Sequence, residues 1–476
     1  MQELIYIIMN TNPIISIIIV TIILSILWGI VILIHWKFGN KNIYTFRKDL
    51  KEMSKKERKE KSDKLNTIQD VNSIYMGKNP NKKDIYLKAN AKNVYVCGTT
   101  GSGKTVTLSN FIKYGVDSNI PLLILDGKGD INEDSLLDIV TRLKGDKKLY
   151  VIDLNNPTTS CKYNPFANTN YTIVKDMLIN MTEWSEEHYK YNTEMFLQKL
   201  VELLVKNDIP LSFKTIIEYM NMEKYELLNT NLLINGIITK EELIGNLDLM
   251  NKDIQKIVRG AAARFSTIIG SELGTIFDEN GIDIYRALKE NAIILFILNP
   301  LIYPELSKLI GRLITIDSKK AISNLYKEKI ERGFFIFDEI NVYASSTLLD
   351  LVNKSRSANI TCILASQSLS DLEENAGEYF KEQVIENCNN YIIMRQNSAK
   401  NAEQWANIIG TKPTMNVTYQ IKGDNSIGVD TGMGSARVTR EFIYHPDEIK
   451  SLPVGNGFLI SKDNNFKTKI IINKPF

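Results

Sequence analysis

Eight consecutive residues, Gly98-Thr99-Thr100-Gly101-Ser102-Gly103-Lys104-Thr105, have the types and spacing of a phosphate-binding loop. Glycines let successive backbone N–H groups turn towards phosphate oxygens, and a helix that starts directly afterwards adds the positive end of its dipole. Lys104 then reaches the β- and γ-phosphates, and Thr105 offers its hydroxyl to Mg²⁺. The expected contacts to ATP run from Gly98 to Val106, with Mg²⁺ as the companion ion. Such a site needs an acid at the end of a second apolar strand. Phe334-Phe335-Ile336-Phe337-Asp338-Glu339 supplies two. Asp338 is expected to hold Mg²⁺ through water, and Glu339 to orient and deprotonate the attacking water. Gln367 follows a third apolar run and is placed to sense the γ-phosphate. Arg356 lies on or just after the helix that follows the acids, where it could enter a neighbouring subunit's nucleotide site. A trans-acting arginine of that kind implies a ring.

These side chains need a scaffold that brings several strand ends together. Apolar runs of strand length recur at Asn93–Cys97, Leu122–Leu125, Leu149–Ile152, Ile293–Leu298, Phe334–Phe337, Thr361–Ala365 and Tyr391–Met394. They are continuous rather than alternating, as parallel strands buried on both faces require. Helix-like stretches separate them, so the fold class is α/β. A β-like stretch at Ile74–Lys92 carries a turn at Asn79–Asn81. From about Asn168 to Arg259 the pattern is helical only, with helices expected over Ile173–Met181, Ser185–Lys206 and Lys240–Lys256. That length fits an all-helical domain, 168–259, inserted into a core made of 74–167 and 260–476. Near the end, Lys422–Ser435 reads as a flexible loop leading to an edge strand over Arg437–Tyr444.

Composition excludes other classes. The 58 basic and 55 acidic residues leave a net charge of +3, and 44% of residues are apolar, so neither wholesale disorder nor a strongly basic chain is indicated. Four cysteines without a C-x-x-C pair and only three histidines argue against a zinc site and against a disulfide scaffold. One segment stands apart. Ile14–Trp36 holds 23 residues without a formal charge, 16 of them Ile, Leu or Val. As a helix it would span roughly 34 Å, enough to cross a bilayer's hydrocarbon. Residues 1–36 therefore read as an uncleaved anchor and 37–73 as a basic linker, with eleven Lys/Arg against five Asp/Glu between Lys37 and Lys64. That charge bias places the chain in the cell membrane as a single-pass protein with its C-terminal bulk in the cytoplasm.

Several runs beyond the phosphate loop point to one family. They are Leu123-Ile124-Leu125-Asp126-Gly127-Lys128-Gly129-Asp130, Tyr163-Asn164-Pro165-Phe166, Ile336-Phe337-Asp338-Glu339, and Ser355-Arg356-Ser357-Ala358-Asn359 through Leu364-Ala365-Ser366-Gln367-Ser368-Leu369. Together they resemble the type IV coupling proteins of conjugation, over roughly Ile74–Phe458. The resemblance implies a RecA-like P-loop NTPase core, an inserted all-helical domain that selects cargo, an N-terminal transmembrane helix and a homo-hexamer. It also implies ATP-driven delivery of relaxase-bound, single-stranded DNA to the channel proteins of a type IV secretion system. By the same resemblance Lys104 and Thr105 are nucleotide ligands, Asp338 and Glu339 the Mg²⁺ and water-activating acids, Gln367 the sensor and Arg356 the trans-acting arginine. Two other readings remain open at this point: a duplex-DNA translocase of the FtsK/HerA type, and a cargo receptor that uses ATP only as an assembly switch.

Overall fold

Apolar runs flanked by polar turns form strands where helices can cover both faces, and the C-terminal body follows that rule. The computed structural model describes residues 13–39, 72–90, 92–326, 332–424, 427–463 and 465–476. Seven strands make a parallel block: β3 Val94–Cys97, β4 Leu122–Asp126, β5 Leu149–Asp153, β6 Ile293–Ile297, β7 Gly333–Asp338, β8 Ile360–Ser366 and β9 Asn390–Ile393. Their order is β9-β3-β8-β7-β4-β6-β5. All neighbours in it are parallel and in register, for example Cys97 beside Ser366 and Asp126 beside Asp338. The expected strands thus hold to within a residue or two at each end.

Four antiparallel strands extend the sheet beyond β9 to eleven strands: β12 Asn456–Ser461, β13 Phe466–Ile472, then the hairpin of β1 Ser73–Lys78 and β2 Asp84–Lys88. Asn79 makes that hairpin's turn, its Oδ1 accepting the N–H groups of Asn81 at 3.0 Å and Lys83 at 2.9 Å.

Helices occupy Tyr171–Asn180, Glu187–Lys206, Phe213–Tyr219, Met222–Ile234, Lys240–Asp248 and Lys252–Ile269. Side chains of Asn170, Ser212, Asn221, Thr239 and Asn251 cap five of the six. The single helix expected over Lys240–Lys256 is two, because Asn251 takes the N–H groups of Asp253 and Ile254 and starts a new one. The expected boundary after Arg259 falls inside that second helix. Phe196, Leu200, Tyr225, Val258 and Phe265 fill the helical interior and belong to one apolar cluster with the sheet's Tyr95, Phe296 and Phe337. A buried ionic joint reinforces the seam. Lys320 pairs with Asp317 at 2.7 Å and donates to the carbonyls of Pro165 and Ala167, while Asp317 accepts from Tyr163 Oη at 2.7 Å.

The region expected as a loop over Lys422–Ser435 is instead part of an antiparallel ribbon. Strands β10 Thr411–Asp424 and β11 Ile427–Phe442 pair from Thr411 beside Phe442 to Asp424 beside Ile427. The expected edge strand is the end of β11 and joins this separate two-stranded sheet, not the main one. Turn-rich composition outweighed the β-formers Val417, Thr418, Tyr419 and Ile421 in the sequence reading.

The N-terminal unit contains a helix over Pro13–Gly39. Over residues 13–34 it exposes apolar side chains along its length, and Ser25 Oγ donates to the carbonyl of Thr21 at 2.8 Å. A segment of Pro13–Ile34 is long and apolar enough to cross a membrane. Most of the basic linker, residues 40–71, lies outside the described residues.

Candidate active site

Strand β3 delivers Gly98–Thr105 to the C-terminal edge of the sheet, and both flanking strands hold the loop there. The N–H of Gly98 reaches the carbonyl of Ser366 in β8 at 3.3 Å. On the other side Met394 N–H donates to Cys97 at 2.7 Å and Thr99 N–H to Arg395 at 3.0 Å. Gly455, just before β12, donates its N–H to the Ser102 carbonyl at 2.9 Å. The helix Lys104–Asp117 follows at once. Its N-cap is Gly103, whose φ of 110° is open to glycine and strained for other residues, and no side chain caps the terminus. The first-turn N–H groups, with Thr105 and Val106 half-buried beside them, are thus left for an anion.

Four of the expected side chains meet in one chain of contacts. Lys104 Nζ donates to the Gly98 carbonyl at 2.9 Å and lies 3.4 Å from Glu339 Oε1. The same oxygen accepts from Gln367 Nε2 at 3.3 Å, and Gln367 Oε1 accepts from Thr100 Oγ1 at 3.2 Å. Lys104 and Glu339 are both buried, so each supplies the countercharge the other requires. Glu339 Oε2 is buried and has no hydrogen-bond partner among the described residues. Glu339 follows β7 with a φ of 48°, a left-handed conformation at the point where the chain leaves the strand. Asp338 Oδ1 accepts the Glu339 N–H at 3.0 Å. Burial first, and the adjacent Glu339 charge second, push the Asp338 carboxyl above its usual range, against the pull of Lys104.

Arg356 is not brought to this site. It is exposed in a single turn, Arg356–Ala358, just before β8, and its guanidinium makes no ion pair among the described residues. Gln367 lies at the opposite end of the same strand.

The sequence reading did not assign roles to several residues that complete the site. Asp126 ends β4 beside Asp338, and burial followed by that neighbouring charge pushes its carboxyl up as well. The signal was present, since Asp126 closes an apolar strand just as Asp338 does. Tyr343 Oη donates to the Asp338 carbonyl at 2.8 Å. The buried Gln396 donates to the carbonyl of Gln367 at 3.4 Å. Neither carries a sequence mark.

Gly127 explains part of the Asp-Gly-Lys-Gly run. A Cβ there would lie 2.7 Å from the Asp338 carbonyl and 2.9 Å from that of Glu339, both backbone atoms. Gly127→Ala should therefore cost about 1–3 kcal/mol, the usual penalty for overpacking. A urea unfolding curve that matches the wild type would show that the two strand ends do not pack as closely as described.

A parallel sheet with the phosphate loop on one strand, acids ending the strand two places away and a glutamine on the strand between them defines a P-loop NTPase core of RecA-like layout. The chain belongs to a family: its residues 84–473 match the model described as the type IV secretion-system coupling protein DNA-binding domain. A bacterial conjugative coupling protein, TrwB lacking its first 70 residues, shares the fold with a TM-score of 0.62 at 16% identity, over 87% of this chain and 91% of that one. The plasmid coupling protein TrwB in complex with ADP and Mg²⁺ matches with a TM-score of 0.58 at 16% identity, over 82% and 86%. VirB4 of Thermoanaerobacter pseudethanolicus matches with 0.53 at 10% identity, over 85% and 97%. A Mycoplasma pneumoniae protein described only as uncharacterized is 32% identical over 108 residues, 23% of this chain and 72% of that protein.

Proposed function

We propose that this chain is a membrane-anchored, Mg²⁺-dependent ATPase that couples ATP hydrolysis to DNA transfer through a type IV secretion channel. The observation that carries this reading is the Lys104–Glu339–Gln367–Thr100 chain of contacts, with Lys104 and Glu339 buried, beside an uncapped helix N-terminus. The loop Gly98–Val106 binds the phosphates of ATP, with Lys104 leaving Glu339 for the β- and γ-phosphates. Thr105 and Asp338 hold Mg²⁺. The residues fit such an ion, since the second oxygen of Asp338 makes no protein hydrogen bond among the described residues. When bound, the ion neutralises charge on the β- and γ-phosphates.

Glu339 is the base. As the attacking water's oxygen bonds to the γ-phosphorus, its proton passes to the carboxylate, and the bond to the ADP oxygen breaks. Gln367 touches Glu339 and, through Thr100, the phosphate loop, so loss of the γ-phosphate changes the position of both its ends. Arg356 serves the next subunit of a homo-hexamer.

Residues 1–36 anchor the chain in the cell membrane, 37–73 link it to the body, and the bulk lies in the cytoplasm. The motor is formed by 74–167 and the residues after the helix Lys252–Ile269. The helices between them select cargo, a relaxase bound to single-stranded DNA, and the ring passes it to the channel proteins. Membership of a DNA-binding family and the RecA-like core support this assignment.

Steady-state ATP hydrolysis by the full chain in lipid nanodiscs tests the reading, at fixed salt because phosphate contacts are salt-dependent. Single-stranded DNA should raise the rate more than duplex DNA, and Lys104→Ala should abolish it. A rate indifferent to DNA would replace the motor with an ATP-switched receptor. Preference for duplex would favour a double-stranded translocase.

A further inference from the structure

The Asp-Gly-Lys-Gly run begins with a carboxylate that has no structural use for one of its oxygens. Asp126 is fully buried at the C-terminal end of β4. Its Oδ1 accepts the N–H groups of Lys128 at 2.9 Å and Gly129 at 3.1 Å, which closes the turn. Its Oδ2 is buried and has no hydrogen-bond partner among the described residues. A buried carboxylate oxygen left unpaired is costly, so a carboxylate retained in that state calls for a ligand.

Register fixes where that oxygen faces. Asp126 and Asp338 are partners in adjacent parallel strands, so their side chains leave the same face of the sheet. The face is identified by residues at even spacing from them. Phe334, four before Asp338, packs on Phe111 and Tyr114 of the helix Lys104–Asp117. Leu122, four before Asp126, packs directly on Gly115 of that helix. Both carboxylates therefore project on the side of the sheet covered by the helix whose first turn carries Lys104 and Thr105.

We propose that Asp126, beside Asp338, is a second carboxylate that would help hold the Mg²⁺ ion. The inference rests on the ATPase reading above. It assigns this chain a divalent-cation site with two protein carboxylates and the Thr105 hydroxyl, completed by phosphate oxygens. Among the described residues no group of three or more His, Cys, Asp or Glu is gathered to hold a metal, and in this proposal nucleotide phosphates supply the remaining ligands. Asp153 gives the contrast. It ends β5 in the same row, but asparagines satisfy both its oxygens, Asn155 N–H at 2.8 Å and Asn156 Nδ2 at 2.9 Å.

The test is a Mg²⁺ titration of fluorescent N-methylanthraniloyl-ADP binding to the full chain in nanodiscs. Asp126→Asn keeps Oδ1 and the turn, and should raise the half-saturating Mg²⁺ about 10-fold or more, the usual consequence of losing an outer ligand. Nucleotide affinity in EDTA should stay within about threefold of wild type, since a tenfold change needs 1.4 kcal/mol. Asp153→Asn should change neither. An Asp126→Asn titration that overlays the wild type overturns the proposal. Wild-type nucleotide binding indifferent to Mg²⁺ overturns the parent reading as well, which separates the two failures.

Should the variant not fold, the wild type decides. Fe²⁺ substituted for Mg²⁺ in the presence of ADP, with ascorbate and peroxide, should cleave the chain near Asp126 as well as near Asp338. Cleavage at Asp338 without cleavage at Asp126 rejects the second carboxylate.

Discussion

Glu339→Gln binds ATP at least as tightly as the wild type and loses turnover by about 10²–10⁴-fold, the range that a general base contributes. Both halves of this result follow from the contacts of the carboxylate. Before nucleotide arrives, Glu339 Oε1 is paired with Lys104 at 3.4 Å. ATP must take Lys104 away from that partner, and a neutral glutamine competes less for the ammonium. Affinity therefore holds or rises a few-fold. The catalytic half follows from Oε2, which is buried, has no partner among the described residues and is the oxygen available to accept water's proton. A glutamine has the same shape and no such basicity. Gln367 still finds an acceptor in the new side chain's oxygen, so the geometry around the loop is preserved. Binding of a fluorescent ATP analogue and single-turnover hydrolysis, measured on one preparation, read the two halves separately. Hydrolysis at the wild-type rate would remove Glu339 from the role of base. Weaker binding with normal turnover would make it a purely structural partner of Lys104.

The same residues show what was legible before the structure. Phosphate loops and acid-ended strands are local patterns, and continuous apolar runs such as Phe334–Phe337 have one comfortable place, inside a covered parallel sheet. The strand order is not local. That β8 lies between β3 and β7, so that Gln367 touches Glu339, comes from pairing across hundreds of residues. The role of Asp126 was hidden for a related reason. Its meaning comes from register with Asp338, more than two hundred positions away, and from an oxygen left over after the turn at Lys128 and Gly129 is satisfied.

The part of the ribbon over Lys422–Ser435 was missed because Gly, Asp, Asn and Ser usually mark loops, whereas pairing between two chain segments supplies the backbone hydrogen bonds that composition does not announce. The break at Asn251 was missed because a polar residue between apolar ones sits equally well in a helix and at its start. Arg356 is the instructive case. Its type and neighbours announced a role, and its position in the fold excludes the nearest nucleotide. Residues Ile360–Ser366 of β8 separate it from Gln367, roughly 20 Å at about 3.3 Å per residue. No arginine side chain reaches across that distance.

That distance yields the last prediction, on mixtures of two dead subunits. Arg356→Ala alone should fold normally, since an exposed side chain without an ion pair among the described residues contributes little to stability. Its ATP turnover should fall by about 10³-fold or more if it acts as arginine fingers do in GTPases. Lys104→Ala should be inactive as well. In the proposed ring, with head-to-tail interfaces, each nucleotide site would take Lys104 from one subunit and Arg356 from the next. Equal mixing of the two variants then makes about a quarter of all interfaces complete, because each intact half is present with a probability of about one half. The expected result is turnover approaching a quarter of the wild-type rate from two preparations that are each inactive, and less if the sites fire in concert. Subunit exchange is verified by energy transfer between labelled chains. Exchanged rings that stay inactive would place Arg356 outside the neighbour's site. Full activity of Arg356→Ala by itself would leave its charge without a catalytic role.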